Sequence, residues 1–127
     1  MVRDNIPSES GYEPKYGFSR AVRIGDRVFV SGTAPIWHGA EVDPDPQVQA
    51  RRCIEIMLSA LAEAGGAASD VVRTRIYITD VDDADAIGEV HGETFGDVKP
   101  AATMVVVAAL LDPAWKVEME LEAVLTG

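Results

Sequence analysis

Residues 116–125 read KVEMELEAVL, and their alternation is strict. Val117, Met119, Leu121 and Ala123 fall on one side of an extended chain, and Glu118, Glu120 and Glu122 on the other. Successive side chains of a strand point to opposite faces, so the segment satisfies both sets only as a strand with one buried and one polar face. A helix, with its period of 3.6, would scatter the two sets around its surface. The rest of the chain must then supply a sheet and a cover for its apolar side.

VVRTRIYITD (71–80) follows the same rule: Val72, Thr74, Ile76 and Ile78 alternate with Arg73, Arg75, Tyr77 and Thr79. FSRAVRI (18–24) and RVFVSG (27–32) are β-prone runs meeting at Gly25-Asp26, a hairpin signal. AATMVVVAAL (101–110) reads as a buried strand entered after Pro100, with Ala102, Met104 and Val106 in one row on the face that carries the glutamates. Arg73, Arg75 and Tyr77 form a polar row matching those glutamates, and Phe18, Arg20 and Val22 form a row in the first strand. Cross-strand ion pairs are one use of such a face, and a subunit interface is another.

Two amphipathic helices supply the cover. Asp45-Pro46 reads as an N-cap followed by proline in the first turn, and Ala50, Ile54, Met57, Leu58 and Leu61 follow at helical spacing until Gly65-Gly66. In DVDDADAIGEVHGETFGD, Asp80, Asp82 and Asp83 crowd the start, where the helix dipole favours carboxylates. Ile87, Val90, His91, Thr94 and Phe95 form its inner stripe. The order is ββαβαββ, which predicts a two-layer α+β sandwich with a mixed sheet and two helices on one face. One domain spans residues 1–127, with residues 1–16 as a loose, polar N-terminal arm.

Charge narrows the function classes. The formal net charge of −10 opposes binding to nucleic acid or anionic membrane, because phosphates attract Lys and Arg. The opening MVRDNIPSES has no apolar signal core, and MVVVAALL is far shorter than the ~18 residues of a spanning helix, so a cytoplasmic location is expected. The single cysteine, Cys53, lies in a helical pattern and reads as a packing residue.

Site chemistry is sparse. With only His38 and His91, no metal site is expected, and the aspartates before the second helix read as caps. His91-Gly92-Glu93 matches the H-x-E of zinc deaminases, but the required P-C-x-x-C is absent. His91 itself reads either as a satisfied, half-buried histidine or as a cleft residue. Ser31 lies in V-S-G-T rather than G-x-S-x-G. Glu120 is the best isolated acid/base candidate, a carboxylate among carboxylates on a partly apolar face; pairing with Arg73 or Arg75 is the alternative.

The ordered set RAVRIGDRVFVSGTAP, QVQARRCIEIMLSALAEAGG, SDVVRTRIYITDVDD, HGETFGDVKPAATMVVVAAL and VEMELEAV resembles the Rid family, also called YjgF, L-PSP endoribonuclease or translation inhibitor, from about Phe18 to Val124. The resemblance implies a chorismate-mutase-like fold and a homotrimer whose sheets line a central barrel, with small-molecule clefts between subunits. It implies cofactor-free hydrolysis of imines and enamines to 2-keto acids and ammonia. On the family pattern, Ser31 and Gly32 match cleft positions, and Glu120 matches the glutamate that positions water. The family tyrosine falls on Phe18, an asparagine on Gly88 and a cysteine on Met104. The arginine that grips the substrate carboxylate falls on Ala102. This makes Phe18, Ser31, Gly32, Ala102, Thr103 and Met104 the expected substrate-binding set, with Glu120 as the catalytic candidate. Arg20 is either a substitute cation in the cleft or a barrel-face partner of a glutamate. A divergent hydrolase or deaminase and a non-catalytic binding trimer both follow from this pattern. The charge argues against a ribonuclease.

Overall fold

The elements in chain order are β1 (Arg3–Ile6), α1 (Tyr12–Tyr16), β2 (Ala21–Ile24), β3 (Arg27–Thr33), α2 (Pro46–Glu63), β4 (Val71–Ile78), α3 (Ala84–Phe95), β5 (Ala101–Val106) and β6 (Val117–Val124). They come from a computed structural model that describes residues 1–8 and 10–126. The strands form one sheet in the order β1-β2-β3-β6-β4-β5. Every neighbouring pair is antiparallel except β4 and β5, which run parallel on either side of α3. This is the expected α+β arrangement with a mixed sheet, and it places the last strand in its middle.

Local chemistry sets the boundaries. Ile24 pairs with Arg27, leaving Gly25-Asp26 as a two-residue hairpin loop. Gly25 takes φ 59°, a conformation that suits glycine at the first central position of such a turn. Asp45 caps α2 by accepting from the backbone N–H groups of Gln47 at 2.8 Å and Val48 at 3.4 Å. Pro46 fills the first turn, where its missing N–H costs nothing. The chain leaves α2 through Gly65 at φ 95°. At the end of α3, a Cβ on Gly96 would meet the Gly92 carbonyl oxygen at 2.6 Å, so the exit requires glycine.

The core lies between the helices and one face of the sheet. Cys53, Met57 and Leu61 of α2 and Ile87, Val90 and Phe95 of α3 pack with Val28 and Val30 of β3, Ile76 and Ile78 of β4, and the whole apolar row of β6. Gln49 is fully buried, and no amphipathic pattern singles it out. Its Nε2 donates to the carbonyls of Asp43 at 2.8 Å and Ala114 at 3.0 Å, and its Oε1 accepts from Lys116 N–H at 2.8 Å. A buried amide with these partners ties the start of α2 to the loops flanking it and β6.

Four expectations are corrected. The N-terminal arm is not loose throughout: Arg3–Ile6 pairs antiparallel with β2, and Tyr12–Tyr16 forms a short helix. Backbone pairing along an open strand edge holds this segment in spite of its polar composition. Val72 is exposed and Val71 is buried, because a bulge sets two β4 residues against one β6 step between Val71↔Ala123 and Arg73↔Glu122. β5 is an edge strand with mostly exposed side chains rather than a buried one. Its register places Ala102 beside Thr74 and Met104 beside Ile76. That row lies on the helix side, and Thr103 beside Arg75 lies on the open face with the glutamates.

Asp45→Ala removes the acceptor for both amides and should cost about 1 kcal/mol of stability. Chemical denaturation measures this, and an unchanged midpoint with unchanged slope would show that the cap contributes nothing.

Candidate functional site

The polar chemistry gathers where β3 departs from regular pairing. Val30 pairs with Leu121 and Thr33 with Met119, so β3 uses three steps where β6 uses two. The extra residue is the mark of a bulge, a common device for re-aiming groups beside a site. Arg20, just before β2, holds this bulge. Its Nη2 donates to the carbonyls of Ser31 at 2.6 Å and Gly32 at 2.9 Å, and to Thr33 Oγ1 at 2.5 Å. Burial lowers the guanidinium's pKa from its ordinary value, while Glu13 and then Glu118 oppose that shift. Its hydrogen bonds go to backbone carbonyls and Thr33, contacts that neither sequence reading described, while Glu118 acts on it electrostatically, in keeping with the glutamate-partner reading.

Gly32 has a steric role. A Cβ there would lie 2.7 Å from Glu118 Oε2, so glycine leaves room for that carboxylate. Burial pushes the Glu118 carboxyl up, Arg20 pulls it down, and Glu120 raises it further. Ser31 Oγ donates to the carbonyl of Ser19 at 2.6 Å. Phe18 and Ser31 share a groove of about 380 Å³ with Asn5, Glu13 and Ser19. Phe18, Arg20, Ser31 and Gly32 therefore gather around one end of the β2–β3 ladder.

Glu120 has a different setting. It accepts a short hydrogen bond from the Tyr77 hydroxyl, and Arg75 Nη1 lies 3.7 Å from its other oxygen. The Tyr77 hydroxyl is harder to ionise in consequence, chiefly through that hydrogen bond. Arg75 also reaches Glu122 at 3.5 Å, and Arg73 reaches Glu122 at 3.9 Å. This is the cross-strand ladder expected of the open face, with each partly exposed pair worth a fraction of a kcal/mol. The carboxylate beside Ser31-Gly32 belongs to Glu118, one step along the alternation from Glu120. Sequence reasoning missed Glu118 because both glutamates have the same strand parity, and only the β3–β6 register separates them.

Ala102, Thr103 and Met104 lie elsewhere. β6 and β4 separate β3 from β5, so these residues stand three strand spacings, roughly 14 Å, from the bulge. One chain does not bring the two groups together. His91 lies near the β5 group: its Nε2 is 2.8 Å from Thr74 Oγ1, and its ring packs against Phe95 at 4.8 Å between centroids. Thr74 is the residue that pairs with Ala102. Burial lowers the His91 pKa. Cys53 is fully buried and its thiol is pushed up by burial, which makes it unreactive. Among the described residues no group of three or more His, Cys, Asp or Glu side chains is placed to hold a metal ion, and no helix is long and apolar enough to cross a membrane.

With this geometry in place, comparison with known proteins identifies the class. The family described as Endoribonuclease L-PSP matches residues 9–125, and the chain belongs to that family. An uncharacterized Streptomyces coelicolor protein is 36% identical over 122 residues, covering 93% of this chain and 89% of that protein. A Mycobacterium tuberculosis crystal structure, a member of the YjgF/YER057c/UK114 family, is 40% identical with a TM-score of 0.90, covering 98% of this chain and 100% of that one. The Escherichia coli protein named "Putative reactive intermediate deaminase TdcF" is 31% identical over 111 residues, covering 84% of each chain. Its structure with bound serine superposes with a TM-score of 0.83 at 28% identity and 99% coverage of both chains.

His91 yields a signed pH prediction. A folded-state pKa below the unfolded value of 6.5 gives stability that is full above 6.5 and lost as pH falls below it. Wild type should therefore lose thermal stability between pH 7 and pH 5 more steeply than His91→Gln. Parallel melting curves for the two proteins would remove His91 as a contributor.

Proposed function

We propose that the chain works as a homotrimer with small-molecule clefts between subunits, and that each cleft is a divergent, cofactor-free relative of an imine-hydrolysing site. The carrying observation is the division of the cleft residues within one chain. Phe18, Ser31 and Gly32 gather at the β3 bulge, while Ala102, Thr103 and Met104 occupy the far edge strand. A single site built from both groups needs the bulge of one copy facing β5 of another. The apolar exposure of β5 supports this, since Val105 and Val106 are 42% and 53% exposed on an unpaired edge. Such an edge is otherwise an invitation to unwanted pairing.

In this reading Glu118, rather than Glu120, handles protons. A carboxyl raised by burial and set beside a glycine, where a small molecule can approach it, is suited to general acid–base work. It takes a proton from water as the oxygen attacks the C=N carbon. It delivers that proton to nitrogen to complete a carbinolamine, then moves the carbinolamine's hydroxyl proton to the same nitrogen as the C–N bond breaks, giving a carbonyl compound and ammonia. The name of TdcF supports this reaction class by kinship. The substrate differs from that of the family pattern, because Ala102 supplies no guanidinium at the carboxylate position and Phe18 supplies no hydroxyl. A bidentate arginine grip is a strong, orienting contact, and its loss shifts specificity away from simple imino acids. The alternative is a trimer that binds a metabolite without turnover. The engagement of the Ser31 hydroxyl by the Ser19 carbonyl favours that reading.

The test supplies 2-iminobutanoate generated in situ. Wild type should stay near the spontaneous rate, and Ala102→Arg should raise turnover by roughly an order of magnitude or more, an effect that Glu118→Gln abolishes in the double variant. Fast wild-type turnover would refute the loss of deaminase specificity. Sedimentation should give three times the protomer mass of 13.6 kDa. A monomer would refute the shared cleft.

A further inference from the structure

A second cavity, of about 410 Å³, shares no lining residue with the groove at Phe18 and Ser31. It lies between the N-terminal arm, at Pro7 and Ser8, and one side of α2. On α2 its wall runs from Arg52 through Ile56 and Ala60 to Glu63. Residues three and four apart are neighbours on a helix surface, so these four form one stripe. Arg52 and Glu63 stand roughly 16 Å apart along the axis.

The stripe is ordered by charge. Arg20 joins Arg52 at one end: both line the cavity, and both guanidinium groups pull the Cys53 thiol down against its burial. Arg52 Nε donates to the Ile36 carbonyl at 2.6 Å, and its Nη1 pairs with exposed Glu55 at 3.3 Å. Arg20 spends Nη2 on the bulge and makes no ion pair among the described residues. Glu63, at the far end, is exposed and has no cation within ion-pair distance among the described residues. Ile56, Ala60 and Pro7 make the middle apolar. An anion is therefore favoured at the arginine end, where partial burial weakens screening, and a cation at Glu63. A lone anion gains nothing at Glu63. A lone cation is repelled by the two guanidinium groups. A compact zwitterion cannot reach both ends.

We propose that this cavity is a second ligand site, for an extended ω-amino acid bound with its carboxylate at Arg20 and Arg52 and its ammonium at Glu63, and that its occupancy is felt at Glu118 through Arg20. The site stands apart from the proposed cleft, and only the consequence for Glu118 rests on that reading. Arg20 reaches from the cavity to the β3 bulge, where the Gly32 carbonyl accepts from it at 2.9 Å and Gly32 lies against Glu118. The charged or titratable groups acting on Arg20 are Glu13 of α1, Glu118 of β6 and Cys53 of α2, and those acting on Glu118 are Arg20 and Glu120. A carboxylate at Arg20 offsets the attraction between that guanidinium and Glu118. Glu118 then keeps its proton to higher pH when the cavity is filled, and by reciprocity its protonation tightens the ligand.

The experiment titrates the protein with 6-aminohexanoate, followed by calorimetry and amide shifts, with hexanoate, hexylamine and glycine alongside. Wild type should bind 6-aminohexanoate saturably, with shifts at Ile56, Ser59 and Ala60, and about threefold or more tightly than each of the other three. Glu63→Gln should bring 6-aminohexanoate and hexanoate to parity. Arg52→Gln should weaken binding about tenfold. Ser59→Trp fills the cavity from an exposed position and should abolish binding. Carbon NMR of the Glu118 carboxyl should give a higher titration midpoint in saturated wild type, and no change on adding 6-aminohexanoate to Ser59→Trp. Several results would overturn the site: no saturable binding into the tens of millimolar, equal wild-type affinity for 6-aminohexanoate and hexanoate, wild-type affinity in Arg52→Gln, or shifts at Ser31 and Gly32 without those on α2. An unmoved Glu118 midpoint in the saturated protein would overturn the coupling. These readouts need neither turnover nor a trimer, so the site and the proposed cleft can fail separately.

Discussion

Strand β6 joins the two halves of the sheet. On one side it pairs with β3 and on the other with β4, and every residue of its apolar row is buried against the helices. Full burial of a side chain such as Leu121 or Met119 contributes roughly 1.5–3 kcal/mol, which outweighs the surface ion pairs on the opposite face. The alternation therefore fixes the strand's orientation, and a one-residue slip would turn the glutamates into the core. With the orientation fixed, Glu118 must emerge at the end of β6 near the β3 bulge, and Glu120 must emerge opposite Arg75.

The bulge is the second constraint. An extra residue in β3 leaves carbonyls that the β6 ladder does not take up, and the guanidinium of Arg20 meets those of Ser31 and Gly32. Burying a cation is costly unless its hydrogens find acceptors, and Arg20 finds them in backbone that needed donors. Its Nε has no hydrogen-bond partner among the described residues. Arg20 thus shapes the site by holding its floor, and Gly32 keeps that floor low enough for a carboxylate to lie over it.

What was legible in the sequence was local. The caps of α2, the Gly25-Asp26 hairpin and the alternation of β6 depend on neighbours a few residues apart, and the structure has all three. What was hidden depended on pairing between distant segments. β1 carries no apolar alternation, so only its partner reveals it. The Val72 bulge inverts two residues that look equivalent in a valine pair. Ala102 moved to the helix side because parity alone does not say which face a strand shares with its neighbour. The same ambiguity made Glu118 and Glu120 interchangeable on paper, although a family resemblance was readable over most of the chain.

The position of β6 has a kinetic meaning. It comes after the other described strands in chain order, yet it occupies the middle of the sheet, and Arg27 must wait for Val124 before that ladder can close. Until then β3 and β4 each present an open edge, and α2 has half of its sheet surface missing. Sheets closed by such distant pairings fold slowly, because the loop entropy is lost before the contacts form. The nascent chain must therefore pass through a state with two unsatisfied strand edges flanking a vacant slot, and insertion of a single amphipathic strand ends that exposure in one step.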